Sequence, residues 1–321
     1  MKIELSEAAE FLRSRDNYLI LMHASPDGDT LGCGSALCGA LQQLGKKARV
    51  QCPEAVPAKF DYMQEAYEKQ EFDYETVVTV DVADSKLLGE LRAVGDTAEL
   101  CLDHHETNTG YAKRLVLRAD YASACELVYE LLLQLGTSIT VPIANALYTG
   151  MATDTGCFKY SNTTPQTHIY AARLIELGAQ IAPINYAMFD MKTQGRLKLE
   201  QMVLSGIKYY ALGHVALINV SLEMLASVSG VDSDDVGALA SIPRQIAGVD
   251  IGICIKEKKP GLFKVSLRSS ENINVADIAA QFGGGGHVRS SGCSFEGVAY
   301  EEAQRLISDA CVEACRKAGL I

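Results

Sequence analysis

The sequence predicts an α/β protein of two domains, the first built on a mainly parallel sheet that is flanked by helices. Over the first 190 residues, short apolar runs alternate with helical patterns, as they do in parallel sheets. After Gly213 the alternation starts again, which indicates a second, smaller α/β domain. The 321 residues are enough for two domains with separate cores. We place the first domain at 1–190, a helical linker at 191–212 and the second domain at 213–321.

The elements of the first domain follow from local patterns. Apolar residues at helical spacing predict helices, and short apolar or β-branched runs predict strands. Turn formers separate them, as at 25–29, and Gly45 and Gly178 mark helix ends. The predicted strands are 18–22, 48–52, 76–80 and 98–102, and the predicted helices are 7–13, 31–44, 122–135, 142–151 and 164–177.

The second domain is predicted in the same way. A long stretch of mixed charge without proline, 191–210, is interpreted as a helix that links the two domains. No internal repeat is visible. The predicted strands are 215–220, 249–255, 262–267 and 291–295, and the predicted helices are 275–282 and 300–318.

Composition limits the classes of partner. The net charge of −11 makes binding to long duplex nucleic acid a poor hypothesis, since such binding neutralises many phosphates. A short phosphorylated substrate, held by metals and a few cations, stays compatible with that charge. No apolar run approaches the roughly 20 residues that span a bilayer. The first seven residues are acidic and lack the pattern of a signal peptide, so we expect a cytoplasmic protein without membrane partners.

The ten cysteines favour a reducing compartment. None forms a Cys-x-x-Cys pair, and most lie inside apolar stretches. Zinc ribbons and disulfide frameworks need tighter pairing than this. We therefore interpret the cysteines as small buried apolar residues.

Three predicted strands end in a residue that can bind a metal ion. His23 follows the first strand, Asp81 follows the strand at 76–80, and Asp103-His104 follows the strand at 98–102. Sites in open α/β sheets form at the carboxyl ends of strands. Asp81 alone could cap a helix, and the Asp103 stretch alone could be a hydrogen-bonded loop, but their common position indicates one site.

Further carboxylates extend this set. Asp27 and Asp29 lie two apart around a glycine, where they repel each other unless a cation lies between them, although a solvated turn would also explain them. Asp154 ends a predicted helix. Oxygen ligands with imidazole suit Mn²⁺, or Mg²⁺, Fe²⁺ or Co²⁺, better than structural zinc. The candidates are too many for one ion and predict two ions about 3.5–4 Å apart, bridged by one carboxylate.

The glycine run Gly283–Gly286, followed by His287, predicts a second functional feature. Such a run could be a plain linker, but this one lies inside a domain, between a predicted helix and a strand. Glycines in that setting let backbone N–H groups approach an anion closely. Three cationic side chains could assist: His287, Arg289 and Arg268. No P-loop, dinucleotide-binding glycine motif or serine-hydrolase elbow is present.

These residues resemble a known family, the DHH phosphoesterases. The similarity covers both domains in order, since the glycine run resembles the signature of the DHHA1 domain. One departure is Gly32-Cys33 where the family often has Gly-Ser; whether Ser35 supplies that hydroxyl stays open. The matching stretches are Ser25-Pro26-Asp27-Gly28-Asp29, Asp81, Asp103-His104-His105-Glu106-Thr107-Asn108, Asp154-Thr155-Gly156 and Gly283–His287.

The resemblance implies a role for each site residue. It implies one metal on His23, Asp27 and Asp81, and a second on Asp29, Asp81, His104 and Asp154, with Asp81 shared. It further implies that His105 and Asn108 face the substrate phosphate, while Asp103 orients an imidazole. The distal part of the substrate would contact the residues of the second domain, across a cleft between the domains: Arg268, Gly284, Gly285, Gly286, His287 and Arg289.

Within that superfamily, a compact two-domain chain is similar to the nanoRNase and pAp-phosphatase group. The expected activity is Mn²⁺-dependent hydrolysis of short RNA and of dinucleotides such as pApA to mononucleotides, together with conversion of pAp to AMP. A dedicated cyclic or linear dinucleotide phosphodiesterase is the alternative enzyme. A nucleotide-binding module without catalysis would be expected to lack a ligand, and none is missing. The sequence leaves a homodimer open.

Overall fold

The computed structural model describes residues 1–231, 233–270 and 273–321 and divides the chain into two compact units, Met1–Met191 and Lys192–Ile321. The stretch 191–212, predicted as a linker, falls in the second unit from Lys192 onward. Among the described residues, no helix is both long enough and apolar enough to cross a bilayer. Each unit is built around a sheet of its own.

The N-terminal unit contains a five-stranded, fully parallel sheet in the order β2-β1-β3-β4-β5. The predicted parallel sheet is thus confirmed, although its edge strand β5 was not predicted from the sequence. The strands are β1 (Tyr18–Leu21), β2 (Ala48–Gln51), β3 (Thr76–Val80), β4 (Leu100–Asp103) and β5 (Arg114–Leu117). The helices are α1 (Leu5–Ser14), α2 (Gly28–Gln43), α3 (Arg92–Gly95), α4 (Ala124–Leu135), α5 (Val141–Asp154), α6 (Pro165–Glu176) and α7 (Ile181–Asn185).

Both faces of this sheet are buried. Ile20 and Val78 point to the core that the sheet shares with α1, α2, α4 and α5, whereas Leu19 and Val77 point to a smaller core on the opposite face. Parallel strands covered on both faces read as continuous apolar runs, which is why the sequence predicted β1 and β3 well. The candidate site residues His23, Asp81 and Asp103 lie at the carboxyl ends of β1, β3 and β4.

Helices α2 and α5 pack unusually closely. A Cβ at Gly32 would collide with the carbonyl oxygen of Ala146, and a Cβ at Gly28 would collide with Thr153. These glycines let the first turn of α2 lie against the last turn of α5. The contact brings the acidic start of α2 next to Asp154.

The C-terminal unit contains a six-stranded mixed sheet in the order β10-β11-β9-β8-β7-β6. One face packs on α11 and α12, and part of the other packs on α8 and α10. The strands are β6 (Lys208–Tyr210), β7 (Val215–Val220), β8 (Ile251–Lys259), β9 (Leu262–Ser269), β10 (Gly285–His287) and β11 (Ser290–Glu296). The helices are α8 (Gln194–Ser205), α9 (Leu222–Ala226), α10 (Ser233–Ala238), α11 (Val275–Ala280) and α12 (Tyr300–Lys317).

The predicted helix over 191–210 is wrong at its end. Helix α8 starts after Thr193, whose hydroxyl accepts from the N–H of Arg196, and ends at Gly206. The following residues Lys208–Tyr210 pair with β7 as an edge strand instead. Glycine ends the helix, and the two tyrosines favour the extended conformation.

Candidate metal centre and active site

The centre of the site is Asp81, which follows the fully buried strand β3. Its side chain is only 3% exposed, and its backbone has a φ of 57°. Left-handed conformations are uncommon for residues other than glycine and cluster at functional sites. A hydrogen bond of 2.9 Å from the Asp81 N–H to the Leu102 carbonyl holds this turn against β4. The carboxylate is thereby fixed between the ends of two neighbouring strands.

His23 lies on one side of Asp81. Its Nε2 is 3.5 Å from Asp81 Oδ2 and 3.7 Å from Asp27 Oδ1. Its Nδ1 is 2.8 Å from the Ala24 carbonyl, which can only accept, so Nδ1 carries the proton and Nε2 faces the carboxylates. Burial lowers the pKa of His23, but the two carboxylates outweigh burial and raise it to about 11. This corner therefore attracts a positive charge.

His104 lies on the other side of Asp81. Its Nε2 is 3.5 Å from Asp81 Oδ1, 3.4 Å from Asp154 Oδ2 and 3.8 Å from Asp29 Oδ2. Its Nδ1 is 3.2 Å from the Tyr121 carbonyl, which fixes the same tautomer as in His23. Metal-binding histidines usually donate their second N–H in this way.

Asp29 is completely buried and connects two helices. It lies in the first turn of α2, and its carboxylate accepts hydrogen bonds from the N–H groups of Ala124 and Cys125, at 2.6 and 2.9 Å. These N–H groups begin α4, whose own N-cap Ser123 makes no side-chain cap. The positive end of α4 therefore stabilises the carboxylate of Asp29. A Cβ at Gly150 would lie 2.7 Å from Asp29 Oδ1, so only glycine leaves this space open.

Asp27 has a capping role as well as its position near His23. It is the N-cap of α2, and its Oδ1 accepts from the N–H groups of Asp29 and Thr30 at 3.0 and 3.2 Å. The sequence had suggested a turn here, and the structure shows that the turn is the start of the helix. Its second carboxylate oxygen is not needed for the cap.

Asp103 is buried and orients the loop that follows β4. Its Oδ1 accepts from Nδ1 of His105 at 2.8 Å, and its Oδ2 accepts from the amide of Asn108. The hydrogen bond to Asp103 raises the pKa of His105 to about 9. Asn108 also donates to the Val82 carbonyl and accepts from the Gly110 N–H. Its amide thus holds the loop, while 43% of the His105 side chain is exposed.

The structure brings together the six residues predicted as metal ligands. Their ligand atoms form two groups, each with all atoms within 4.8 Å of one another: His23, Asp27 and Asp81, and Asp29, His104 and Asp154. Asp81 Oδ1 and His104 Nε2 are buried and make no hydrogen bond within the described part of the chain. Burial and the nearby carboxylate of Asp29 raise the pKa of Asp81 and Asp154 well above the usual range.

These features fit divalent cations. Buried polar atoms without partners are costly, and a cation between the two groups would bind both Asp81 Oδ1 and His104 Nε2. It would also remove the repulsion among four carboxylates. Two thiols, Cys33 and Cys125, lie near Asp29, and burial raises the pKa of both well above the usual value. The ligand set is therefore one of oxygens and imidazoles, which hard cations prefer.

The predicted anion site of the C-terminal unit is a short strand rather than a loop. Gly285–His287 pair with β11, and a Cβ at Gly284 would lie 2.7 Å from that of Cys293. Gly286 has a φ of 138°, which favours glycine. The glycines thus allow close pairing with β11, and whether they also hold an anion stays a prediction.

The cationic side chains of this unit have different surroundings. His287 pairs with Ser290, which pairs with Arg268, so the three side chains point to the same face of the sheet. Arg268 is half-buried, and burial lowers its pKa. Arg289 donates to the carbonyls of Ser270 and Ile273, at 2.7 and 2.9 Å.

Two family models match the chain. The model of the DHH family N-terminal domain matches residues 17–151, and that of the DHHA1 domain matches residues 221–313. The chain therefore carries a DHH domain and a DHHA1 domain in this order, and these domains, together with the relatives described next, identify it as a phosphoester hydrolase. Five of the six predicted metal ligands lie within the DHH match, and Asp154 lies three residues beyond it. The glycine run, Arg268, His287 and Arg289 lie within the DHHA1 match.

Relatives of known name align with the DHH chain along almost its whole length. The bifunctional oligoribonuclease and PAP phosphatase NrnA of Thermus thermophilus is 29% identical over 98% of this chain and 95% of its own. The protein of the same name from Bacillus subtilis is 24% identical over 92% of this chain and 93% of its own. An exopolyphosphatase-related protein from Bacteroides fragilis has a similar structure, with a TM-score of 0.86, 26% identity and coverage of 98% and 96%.

A more distant structure shares the fold alone. The exonuclease RecJ bound to manganese superposes with a TM-score of 0.55 at 15% identity, and the match covers 96% of this chain and 94% of that one. The two-domain α/β architecture predicted from the sequence is therefore a fold that also occurs in a protein of very different sequence.

Proposed function

We propose that this DHH protein hydrolyses short oligonucleotides to mononucleotides and removes the 3′-phosphate of adenosine 3′,5′-bisphosphate, with divalent cations. The observation that carries the proposal is the pair of ligand groups that meet at Asp81. The names of the NrnA relatives, which align end to end with the chain, support this substrate class.

Two cations would share Asp81. His23 and Asp27 would complete the first site, and the second would use the ligands grouped around His104: Asp29, His104 and Asp154. Mn²⁺ is the ion that this mixture of carboxylates and imidazoles suits best. When bound, such a pair supplies Lewis-acid activation of water and charge stabilisation of the phosphoryl group.

The chain's own residues would position the substrate phosphate. Asp103 holds Nδ1 of His105, so the exposed Nε2 is the ring nitrogen available to a phosphoryl oxygen. Asn108 fixes the same loop through its bonds to Asp103 and Val82. We place His105 in contact with the phosphate and Asn108 beside it.

The DHHA1 unit would bind the remainder of the substrate. The row of His287, Ser290 and Arg268 on one sheet face offers an imidazole, a hydroxyl and a guanidinium to a second phosphate or a sugar. The acidic chain as a whole is unsuited to long duplexes.

The test is hydrolysis of pApA and of adenosine 3′,5′-bisphosphate with Mn²⁺, for wild type and Asp81→Ala. We expect the variant to fall to background on both substrates, because the shared ligand is lost. Asp96→Ala, which removes an exposed carboxylate outside the site, should retain wild-type rates. Equal activity of the wild type and Asp81→Ala would refute the proposed centre.

A further inference from the structure

A cavity of about 230 Å³ lies in the N-terminal unit, where β1 and β2 end. It is smaller than the roughly 300–1,000 Å³ pockets that enclose drug-sized ligands, so its volume suits a single ring system. A Cβ at Gly34 would lie 2.6 Å from the sulfur of Met22, so glycine there lets the Met22 side chain form a wall of the cavity. The apolar part of its walls includes Met22, Val50, Val56, Phe60, Met63 and Tyr67, and Lys69 and Glu54 are charged residues of the lining.

The cavity borders the loop that carries His23 into the candidate metal centre. Met22 lines it, and His23 is the next residue. Two further lining residues bind the loop that carries His23: Cys52 Sγ donates to the His23 carbonyl at 3.3 Å, and the Glu54 carboxylate accepts from the Ser25 N–H at 3.0 Å. A ligand whose phosphate lies at the metal centre could therefore extend into this cavity.

Ser35 offers a polar group to the cavity. It lies on α2, lines the cavity and is only 5% exposed, and its hydroxyl makes no hydrogen bond within the described part of the chain. The hydroxyl is therefore available to bond to a molecule in the cavity. Gln64, which is half-buried and also lines the cavity, offers a side-chain amide that bonds to none of the described residues. A hydroxyl and an amide together provide donors and acceptors for the edge of a heterocycle.

We propose that this cavity binds the nucleobase of the nucleotide substrate, with Ser35 and Gln64 hydrogen-bonding to the edge of the ring. Phe60 and Tyr67 contribute apolar and aromatic surface for its faces. The proposal rests on the proposed function, because it requires a nucleotide whose phosphate lies at the metal centre. It assigns a role to the hydroxyl of Ser35, two residues beyond Cys33.

The experiment compares the affinity of AMP with that of ribose 5-phosphate, by calorimetric titration in the presence of Mn²⁺. The two ligands differ only in the base. We expect the wild type to bind AMP at least tenfold more tightly. Val56→Phe, which fills the cavity from a partly exposed position, should bring the ratio close to one. Ser35→Ala should reduce it about threefold or more, the usual effect of one lost hydrogen bond.

Ile169→Phe is the matched control, because Ile169 is an exposed residue of α6 outside the cavity, and it should keep the wild-type ratio. Equal affinities in the wild type, or an unchanged ratio in both Val56→Phe and Ser35→Ala, would overturn the proposal. The readout needs no turnover. A protein that prefers AMP through this cavity but hydrolyses neither pApA nor adenosine 3′,5′-bisphosphate would therefore refute the proposed function and leave this inference standing.

Discussion

At the scale of single residues, several side chains of the site have two tasks. Asp27 caps α2 and faces His23, and Asp29 caps α4 and faces His104. The peptide N–H groups at a helix start stabilise a carboxylate that would otherwise be destabilised by its acidic neighbours. Two of the four carboxylates, those of Asp27 and Asp29, are thereby stabilised by backbone N–H groups without a cation.

Replacing Asp103 should impair catalysis, because this residue positions His105. Asp103→Asn keeps the size of the side chain but removes the charge that orients His105 and receives the Asn108 amide. We expect kcat on pApA to fall about 10–100-fold, the usual effect of losing a residue that orients a ligand. KM and the melting temperature should change little. Steady-state kinetics of this variant beside Asp96→Asn tests the prediction, and an unchanged kcat would contradict it.

At the scale of elements, the strands and their polar ends were predictable. A buried parallel strand is an apolar run, so the polar residue that ends it is visible, as for His23 and Asp81. The helix contacts that complete the site were not predictable. Asp29 accepts hydrogen bonds at the start of α4, almost a hundred residues later in the chain. The need for glycine at position 150 follows only from the position of the Asp29 side chain beside it. Such contacts depend on tertiary packing, for which local patterns contain no signal.

In the C-terminal sheet, Asp250 links the ends of three strands, and its hydrogen bonds lead us to expect that the stability of this unit depends on pH. Its carboxylate accepts from the Ser270 hydroxyl at 2.6 Å and from His214 Nδ1 at 2.8 Å. The bond from Ser270, assisted by His214, lowers the pKa of Asp250 below its usual value. Because the folded pKa is below the unfolded value of about 3.9, this carboxylate stabilises the fold above that pH. The stabilisation is lost as the pH falls through the folded pKa.

Asp250→Asn should therefore lower the free energy of unfolding at pH 7 by about 1 kcal/mol, a value reduced for solvent screening. The difference from wild type should shrink as the pH falls below about 4. Urea unfolding followed by circular dichroism at several pH values measures it. Asp309→Asn, on the exposed side of α12, is the control and should change little at any pH. A difference that grows on acidification would contradict the assignment.

At the scale of the whole molecule, the sequence predicted two α/β halves and their order but not their details. The glycine run is an example, because no strand was predicted there and Gly285–His287 pair with β11 as β10. Glycine is compatible with either conformation, and only the partner strand decides between them. The acidic character of the chain, in contrast, has a local meaning, since part of the negative charge is concentrated around Asp81.

Cation binding should increase the stability of the whole fold. The folded protein holds the ligand groups around Asp81 together, whereas the unfolded chain does not, so Mn²⁺ should stabilise the fold. At a hundredfold excess over Kd the stabilisation is about 2.7 kcal/mol. A domain of the size of the N-terminal unit gains about 2–4 °C per kcal/mol, so its melting temperature should rise about 5–10 °C over EDTA-treated protein.

Asp81→Asn separates this effect from general ionic stabilisation. Without metal, the variant should melt at or above the wild-type temperature, because it removes one charge from a crowded acidic group, and asparagine tolerates the left-handed backbone. Mn²⁺ should then produce little further shift. Differential scanning calorimetry with and without Mn²⁺ decides the matter, with Asp96→Asn expected to show the full wild-type shift. An equal Mn²⁺ shift in Asp81→Asn would mean that the cations bind elsewhere, since the proposed centre has both cations share Asp81, which lies 3.5 Å from both His23 and His104.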